Sequence, residues 1–477
     1  MTVELSDVRC LAVLGLRRSG RPAALLARRE LAGVRVVALD EGDAPPKDAV
    51  AELRAAGVEV LCGADALLPE GADLLVKSPG VPDESRAVQE ALRRGVTLWS
   101  EVEIATRFLP NRVLGITGTN GKTTTTELAG AIFRDAGLPV AVGGNVGYAL
   151  AGMPGEIAAD AAVVAELSSF QLEHIERFRP DVAVLLNLSA DHIDRHGTYR
   201  GYADAKLRIF ENQADGDVAL LCADDQGIRG ELAAGRIGGG GRRRWFSSAP
   251  GREEGPGGEP LVAGVSTGGE LWLDAGGARR PLCRAADLAL RGEHNLQNSL
   301  AAAAACCALG VPPESAAGTL RTFGGVPHRL QVAGVVGGVT YVNDSKATNV
   351  DATLKALTAY SGPVHLILGG YDKGAAYDGL AAATEGSVRQ VLLIGATAPE
   401  LEAAFAARRA AGAPRATPWV VCGDLEAAVI LAAREAAPGD VVLLSPACAS
   451  WDQYRDYEQR GEHFLELVKR MRGADAS

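Results

Sequence analysis

The sequence predicts an α/β protein of three domains in series: a Rossmann-like N-terminal domain, a central P-loop mononucleotide-binding domain and a Rossmann-like C-terminal domain. Three observations predict it. At 477 residues the chain exceeds what one hydrophobic core organises, and about 150 residues per domain gives roughly three. Short apolar runs alternate with helical patterns, which implies parallel sheets, and this rhythm restarts twice. Between the restarts lies Val113-Leu-Gly-Ile-Thr-Gly-Thr-Asn-Gly-Lys-Thr-Thr124, a buried-strand pattern that breaks into a glycine-rich turn and opens a helix. The boundaries read from these signals are 1–109, 110–325 and 326–477.

Composition narrows the class. With 47% hydrophobic and 22% charged residues the chain is globular, and its net charge of −11 argues against a nucleic-acid or membrane-surface partner. Arg242-Arg-Arg244, beside four glycines, reads as a solvated loop. No run reaches the ~18 apolar residues of a membrane span, and the first thirty residues lack a signal-peptide pattern. Eight cysteines form no Cys-x-x-Cys pair, so neither a zinc site nor a disulfide framework is expected, and a reducing cytoplasm fits.

In the N-terminal domain, residues 9–14 and 34–39 read as strands around a helix with Pro22 at its first position. The first loop, Gly15-Leu-Arg-Arg-Ser-Gly20, lacks the Gly-x-Gly-x-x-Gly spacing, so NAD is not read here. Strands at 58–61, 73–77 and 96–99 continue the alternation. A ligand crevice is expected at their C-terminal ends, around Gly15, Asp40 and Ser78-Pro-Gly80; those glycines and prolines also fit plain turns.

The central domain carries the strongest signal. Backbone N–H groups of Gly118, Thr119, Asn120 and Gly121, at the positive end of a helix running to about Gly137, form an anion cradle. Lys122 adds a mobile charge, and Thr123 offers a hydroxyl to a metal. The glycines sit at 115, 118 and 121, so the loop is a variant of the usual pattern. Further strands end at Gly143-Gly-Asn145, at Glu166 and near Asn187. Glu166 therefore lies on the phosphate edge, where a carboxylate suits Mg²⁺. His192, between Asp191 and Asp194, shares that edge. Lys206 lies in a helix read over 199–214. Residues 236–280 read as an irregular glycine-rich excursion without chemistry, and an alanine-rich helix runs on to Leu309.

Beyond Gly324-Gly-Val-Pro-His-Arg329, strands are expected at 339–342, 364–368, 391–394, 419–422 and 441–444. Loops carrying Asp344, Lys346, Lys373 and Ser450 follow three of them, on one sheet edge, as a second binding face.

Taken together, Gly118-Thr-Asn-Gly-Lys-Thr123, Glu166-Leu-Ser-Ser169, Asp191-His192, Lys206, Glu293-His-Asn-x-x-Asn298 and His328-Arg329 resemble the Mur ligase family, which adds amino acids to the peptidoglycan precursor. Asn343-Asp-Ser-Lys-Ala-Thr-Asn349, Leu368-Gly-Gly-x-Asp-Lys-Gly374 and Leu444-Ser-Pro-Ala-Cys-Ala-Ser450 look like its D-glutamate-adding branch, and the Asp-Asn-Pro-Arg motif of the diaminopimelate- or lysine-adding branch is absent. The resemblance implies ATP-driven amide ligation onto UDP-N-acetylmuramoyl-L-alanine through an acyl phosphate, by a cytoplasmic monomer. It implies that Lys122, Thr124 and their loop bind ATP, with Asn295, Arg329 and Asp344 as further nucleotide contacts. Thr123 and Glu166 would hold one Mg²⁺, and His192 with a carbamylated Lys206 a second. Leu16, Asp40, Ser78, Gly80, Asn145 and Ser168 would meet the UDP-sugar. Lys346, Thr348, Lys373, Ser450, Trp451 and Tyr457 would form the D-glutamate pocket. A folylpolyglutamate synthase-like ligase shares the ATP core but not the Leu444–Ser450 motif. A nucleotide-dependent switch shares the phosphate loop, yet the chain has no Asn-Lys pair for a guanine motif.

Overall fold

A computed structural model describes residues 3–42, 47–290, 292–360, 362–371, 375–412 and 415–475. Three sheets fall into two compact units, Met1–Phe323 and Gly324–Ser477.

The first unit holds two sheets. Strands β1 (Cys10–Leu14), β2 (Arg35–Asp40), β3 (Glu59–Cys62), β4 (Leu74–Lys77) and β5 (Thr97–Ser100) pair in parallel in the order β3-β2-β1-β4-β5. All five residues of β1 are buried, as an uninterrupted apolar run at the centre of a covered parallel sheet must be. The order reverses between β1 and β4, so the loops leaving those strands part and open a crevice. Pro22 is the third residue of helix Gly20–Glu30 and not the first, because Gly20 opens the helix against the carbonyl of Gly15. At that depth in the first turn the missing N–H still leaves no intrahelical bond broken.

The second sheet has nine strands: β6 (Val113–Thr117), β7 (Val140–Gly144), β8 (Ala162–Glu166), β9 (Val182–Leu185), β10 (Val218–Cys222), β11 (Arg242–Pro250), β12 (Leu261–Val265), β13 (Glu270–Ala275) and β14 (Ala278–Arg284). They run β14-β13-β12-β11-β10-β9-β6-β8-β7. Helix Glu293–Ala308, whose second half is only alanine and cysteine, packs on the phosphate-loop helix Lys122–Asp135. The expectation for 236–280 is corrected here. These residues form four strands that extend the sheet, with β12 to β14 antiparallel. Their cores are short (Trp245 and Phe246, Leu271 to Leu273), and the glycines sit in the turns between them. Arg242-Arg-Arg244 is solvated as expected, but it opens β11 and is no loop.

In the second unit, β15 (Gln331–Val336), β16 (Val339–Asn343), β17 (Val364–Gly369), β18 (Val388–Ile394), β19 (Trp419–Gly423) and β20 (Val441–Leu444) run in the order β15-β16-β20-β17-β18-β19. Antiparallel β15 was not anticipated. It is an edge strand with Val332 and Val335 exposed, so its apolar pattern is weak. Separate apolar clusters cover the two faces of this sheet.

Candidate active site

The phosphate loop leaves β6, an interior strand of its sheet lying between β8 and β9. Gly121 caps the following helix at φ +83°, and a Cβ there would lie 2.3 Å from Asn298 Oδ1. Only glycine satisfies both the left-handed backbone and that approach. The loop is held reciprocally by the segment after β9. Asn120 N–H donates to Asn187 Oδ1 (2.8 Å), Asn187 Nδ2 donates back to Asn120 O (3.1 Å), and Thr119 Oγ1 bridges the backbone of Ser189. Lys122 Nζ donates to the carbonyls of Gly118 and Thr119, each at 2.9 Å.

Glu166, at the end of β8, pairs in register with Ile116 of β6. Its carboxylate is buried; Oε1 accepts from Asn145 Nδ2 at 2.8 Å, while Oε2 has no hydrogen-bond partner. A buried carboxylate oxygen stranded in this way is costly unless a partner meets it. The donor set of Glu166 with the Thr123 hydroxyl, both oxygen, therefore fits Mg²⁺. Lys206 reaches the same edge from helix Tyr199–Leu207. It is 2% exposed, donates to Gly118 O at 2.9 Å and lies 4.8 Å from the Tyr202 ring centroid. Burial, reinforced by the charge of Lys122, drives its pKa well below the ordinary lysine value.

His192 lies near the same tyrosine, 6.5 Å ring to ring, with a strained φ of +50°. Its ring is half exposed and 3.6 Å from the Asp191 carboxylate. Sequence reasoning missed its neighbour His196, whose ring is buried between Glu173 Oε1 (3.1 Å) and Ser169 Oγ (2.9 Å) and stacks on Phe170. It also missed Tyr202, whose hydroxyl donates to Thr119 Oγ1. The helical spacing of Tyr202 and Lys206 was the available signal.

The N-terminal crevice is real: a cleft of about 800 Å³ lined by Gly15, Asp40, Ser78 and Gly80, and on its other side by Gly144 and Asn145 of the nine-stranded sheet. Leu16 is turned into the core, and its N–H is tied to Asp40 Oδ2; Arg17 and Arg18 line the cleft beside it. Ser168 caps helix Ser169–Leu172 in a capping box with Gln171, itself a lining residue. One end of the cleft thus shares Asn145 with Glu166.

In the second unit the loops after β16, β17 and β20 emerge together because those strands are adjacent. Asp344 is buried, accepts from Ser445 Oγ (2.7 Å) and Leu330 N–H (3.1 Å), and is pushed up to about 6 by burial. Arg329 is exposed and close enough to oppose that rise. Lys346 Nζ lies 5.7 Å from the Tyr457 ring centroid, Thr348 is half buried and Ser450 is buried. Trp451 is exposed and 5.7 Å from the Tyr371 ring. Ala447, in the loop after β20, adopts φ +59°. Asn295 lies on helix Glu293–Ala308, one turn before Asn298, whose Nδ2 donates to it at 3.3 Å. Lys373 lies outside the described residues.

A glycine-rich anion cradle with a stranded buried carboxylate beside it defines an enzyme that handles a nucleoside triphosphate on a parallel sheet. Residues 116–236 match the Mur ligase middle domain, and residues 328–448 the Mur ligase glutamate ligase domain. The chain is 43% identical over 459 residues to the UDP-N-acetylmuramoylalanine–D-glutamate ligase of Pelotomaculum thermopropionicum, covering 96% of each. It is 42% identical over 476 residues to that of Acidobacterium capsulatum, covering 99% of each. Its fold is similar to that of MurF from Acinetobacter baumannii, at a TM-score of 0.55 and 17% identity over 97% of this chain and 93% of that one. The chain belongs to the Mur ligase family.

Proposed function

We infer that this chain is an ATP-dependent ligase that joins D-glutamate to UDP-N-acetylmuramoyl-L-alanine in peptidoglycan precursor synthesis. The observation that carries the reading is the meeting, at one sheet edge, of the phosphate loop with Glu166, whose buried Oε2 lacks a partner. The full-length similarity to D-glutamate ligases supports the substrate pair.

The alanyl carboxylate attacks the γ-phosphorus of ATP and ADP leaves, giving an acyl phosphate. The D-glutamate amine then adds to the acyl carbon, loses a proton, and inorganic phosphate departs as the amide forms. Phosphate loop N–H groups and Lys122 neutralise charge on the transferring group, and positioning supplies much of the remaining rate. Mg²⁺ bound by Thr123 and Glu166 would offset triphosphate charge. A second ion would take His192 and a carbamylated Lys206. A lysine ammonium cannot ligate a metal, but burial favours the neutral amine, the form that combines with CO₂. The cleft with Asp40, Ser78, Gly80 and Asn145 takes the UDP-sugar, with Leu16 and Ser168 as further expected contacts. Lys346, Thr348, Lys373, Ser450, Trp451 and Tyr457 take D-glutamate, and Asn295, Arg329 and Asp344 contact the nucleotide. The division is 1–109, 110–325 and 326–477. Among the described residues no helix is long and apolar enough to cross a membrane, and we place the protein in the cytoplasm as a monomer.

Phosphate release from ATP with UDP-N-acetylmuramoyl-L-alanine tests the reading, with D-glutamate, L-glutamate, L-alanine and meso-diaminopimelate offered in turn. Release with D-glutamate alone is expected. Release with another amino acid overturns the substrate assignment, and release with none overturns the ligase.

A further inference from the structure

Arg460 is among the largest fully buried side chains, at 1% exposure, yet it makes no ion pair among the described residues. It lies on helix Tyr457–Asp475, which follows the last strand. All of its donors are spent on neutral oxygens from three loops. Nε donates to Ser345 Oγ (3.0 Å) and Nη2 to Ser345 O (2.9 Å), both after β16. Nη1 meets Gly369 O (3.5 Å) at the end of β17 and Ala449 O (3.2 Å), and Nη2 also meets Cys448 O (3.1 Å), both after β20. Ser345 Oγ in turn donates to Tyr457 O at 2.8 Å, so loop and helix close on each other. Gly370 leaves room for the arrangement: a Cβ there would lie 2.1 Å from Ala449 O and 3.0 Å from Arg460 Nη1.

Two consequences follow from ordinary chemistry. A planar five-donor fork fixes the carbonyls of three separate segments in one geometry, which a lysine cannot do. And because its hydrogen-bond acceptors are all neutral, the guanidinium charge is not neutralised by a direct ion pair, although the Asp452 carboxylate is close enough to favour it; burial lowers its pKa only to about 10, so the cation persists at neutral pH.

We propose that Arg460 is the positioning residue of the amino-acid pocket, locking the loops that carry Lys346, Thr348 and Ser450 and setting a buried positive charge behind them that favours a dicarboxylate amino acid. This rests on the ligase reading above. The test compares wild type, Arg460→Met and Arg460→Lys by KM for D-glutamate, ATP and UDP-N-acetylmuramoyl-L-alanine, with thermal melts of each. Arg460→Met raises KM for D-glutamate about 30- to 100-fold and leaves the other two within about threefold, and Arg460→Lys recovers part of the loss because it keeps the charge. Equal rises in all three constants, or a lowered melting temperature with KM for D-glutamate unchanged, overturn the proposal. Should Arg460→Met not fold, Arg460→Lys and Ser345→Ala decide: an unchanged KM for D-glutamate in both overturns it, and a selective rise supports it. Wild type that releases no phosphate with D-glutamate overturns the ligase reading itself, independently of how the variants compare.

Discussion

Two buried cations serve two different sheets, and burial lowers the pKa of both with different outcomes. Lys206 at the phosphate edge is enclosed with Lys122 nearby, and its pKa falls well below the usual lysine range. Arg460, on the helix Tyr457–Asp475 that packs on the third sheet, is buried as deeply, with its donors all accepted by neutral oxygens, and it stays charged. A primary amine surrenders its proton when desolvated and becomes a nucleophile; a guanidinium keeps it and becomes a fixed charge and a fixed scaffold. On the reading proposed above, the phosphate edge would hold an amine open to carbamylation, and the loop face of the third sheet a cation that is not.

The largest expected effect breaks this comparison directly. Lys206→Ala lowers kcat by about 10³-fold, added bicarbonate does not restore it, and Lys206→Arg is no better although it keeps a cation. Near-normal turnover in either variant removes the need for a modifiable amine. Next, Gly121→Ala loads strain of about 1–3 kcal/mol onto the cradle and lowers ATP affinity about 10- to 100-fold while D-glutamate binding to the second unit is unaffected. Equal losses for both ligands, measured by calorimetry, would show that the two faces are not separable. The Arg460 variants sharpen the other side, with their loss confined to the amino acid.

The smallest effect concerns a third buried group. Glu101 is fully buried, with Ala151 N–H donating to it at 2.6 Å, and burial pushes its pKa up to about 7. The folded protein thus holds a proton that the unfolded chain releases above the ordinary carboxylate pKa. Stability consequently falls as pH rises from about 4.5 to 7 and is flat beyond. Glu101→Gln removes that slope and stabilises the protein at pH 8 by on the order of 1–3 kcal/mol, read from urea midpoints at pH 5 and 8. A slope unchanged in the variant assigns the pH dependence to other groups.

What was legible in the sequence was whatever is local. Gly118, Gly121, Lys122 and Thr123 announce a phosphate cradle because loop, turn and helix start lie within a dozen residues. Strands buried on both faces read clearly; β13 and β14 did not, since their apolar cores are two or three residues long between glycine turns. Arg460 was silent because helix Tyr457–Asp475 is rich in charged side chains, and its partners lie over a hundred residues earlier at Ser345 as well as nearby at Cys448 and Ala449. Tyr202 and His196 gain their meaning only from Thr119 and Phe170, which the fold brings to them.

The nine-stranded sheet ends on β14, whose sequence is Ala-Arg-Arg-Pro-Leu-Cys-Arg. A bare sheet edge is a template on which further chains can stack, and natural proteins blunt such edges with charge and proline. Here Arg279 and Arg280 stand exposed on the last strand and Pro281 withholds a donor from any newcomer. The glycine-rich excursion thus closes the sheet on a strand whose charge and proline make it a poor template for another chain.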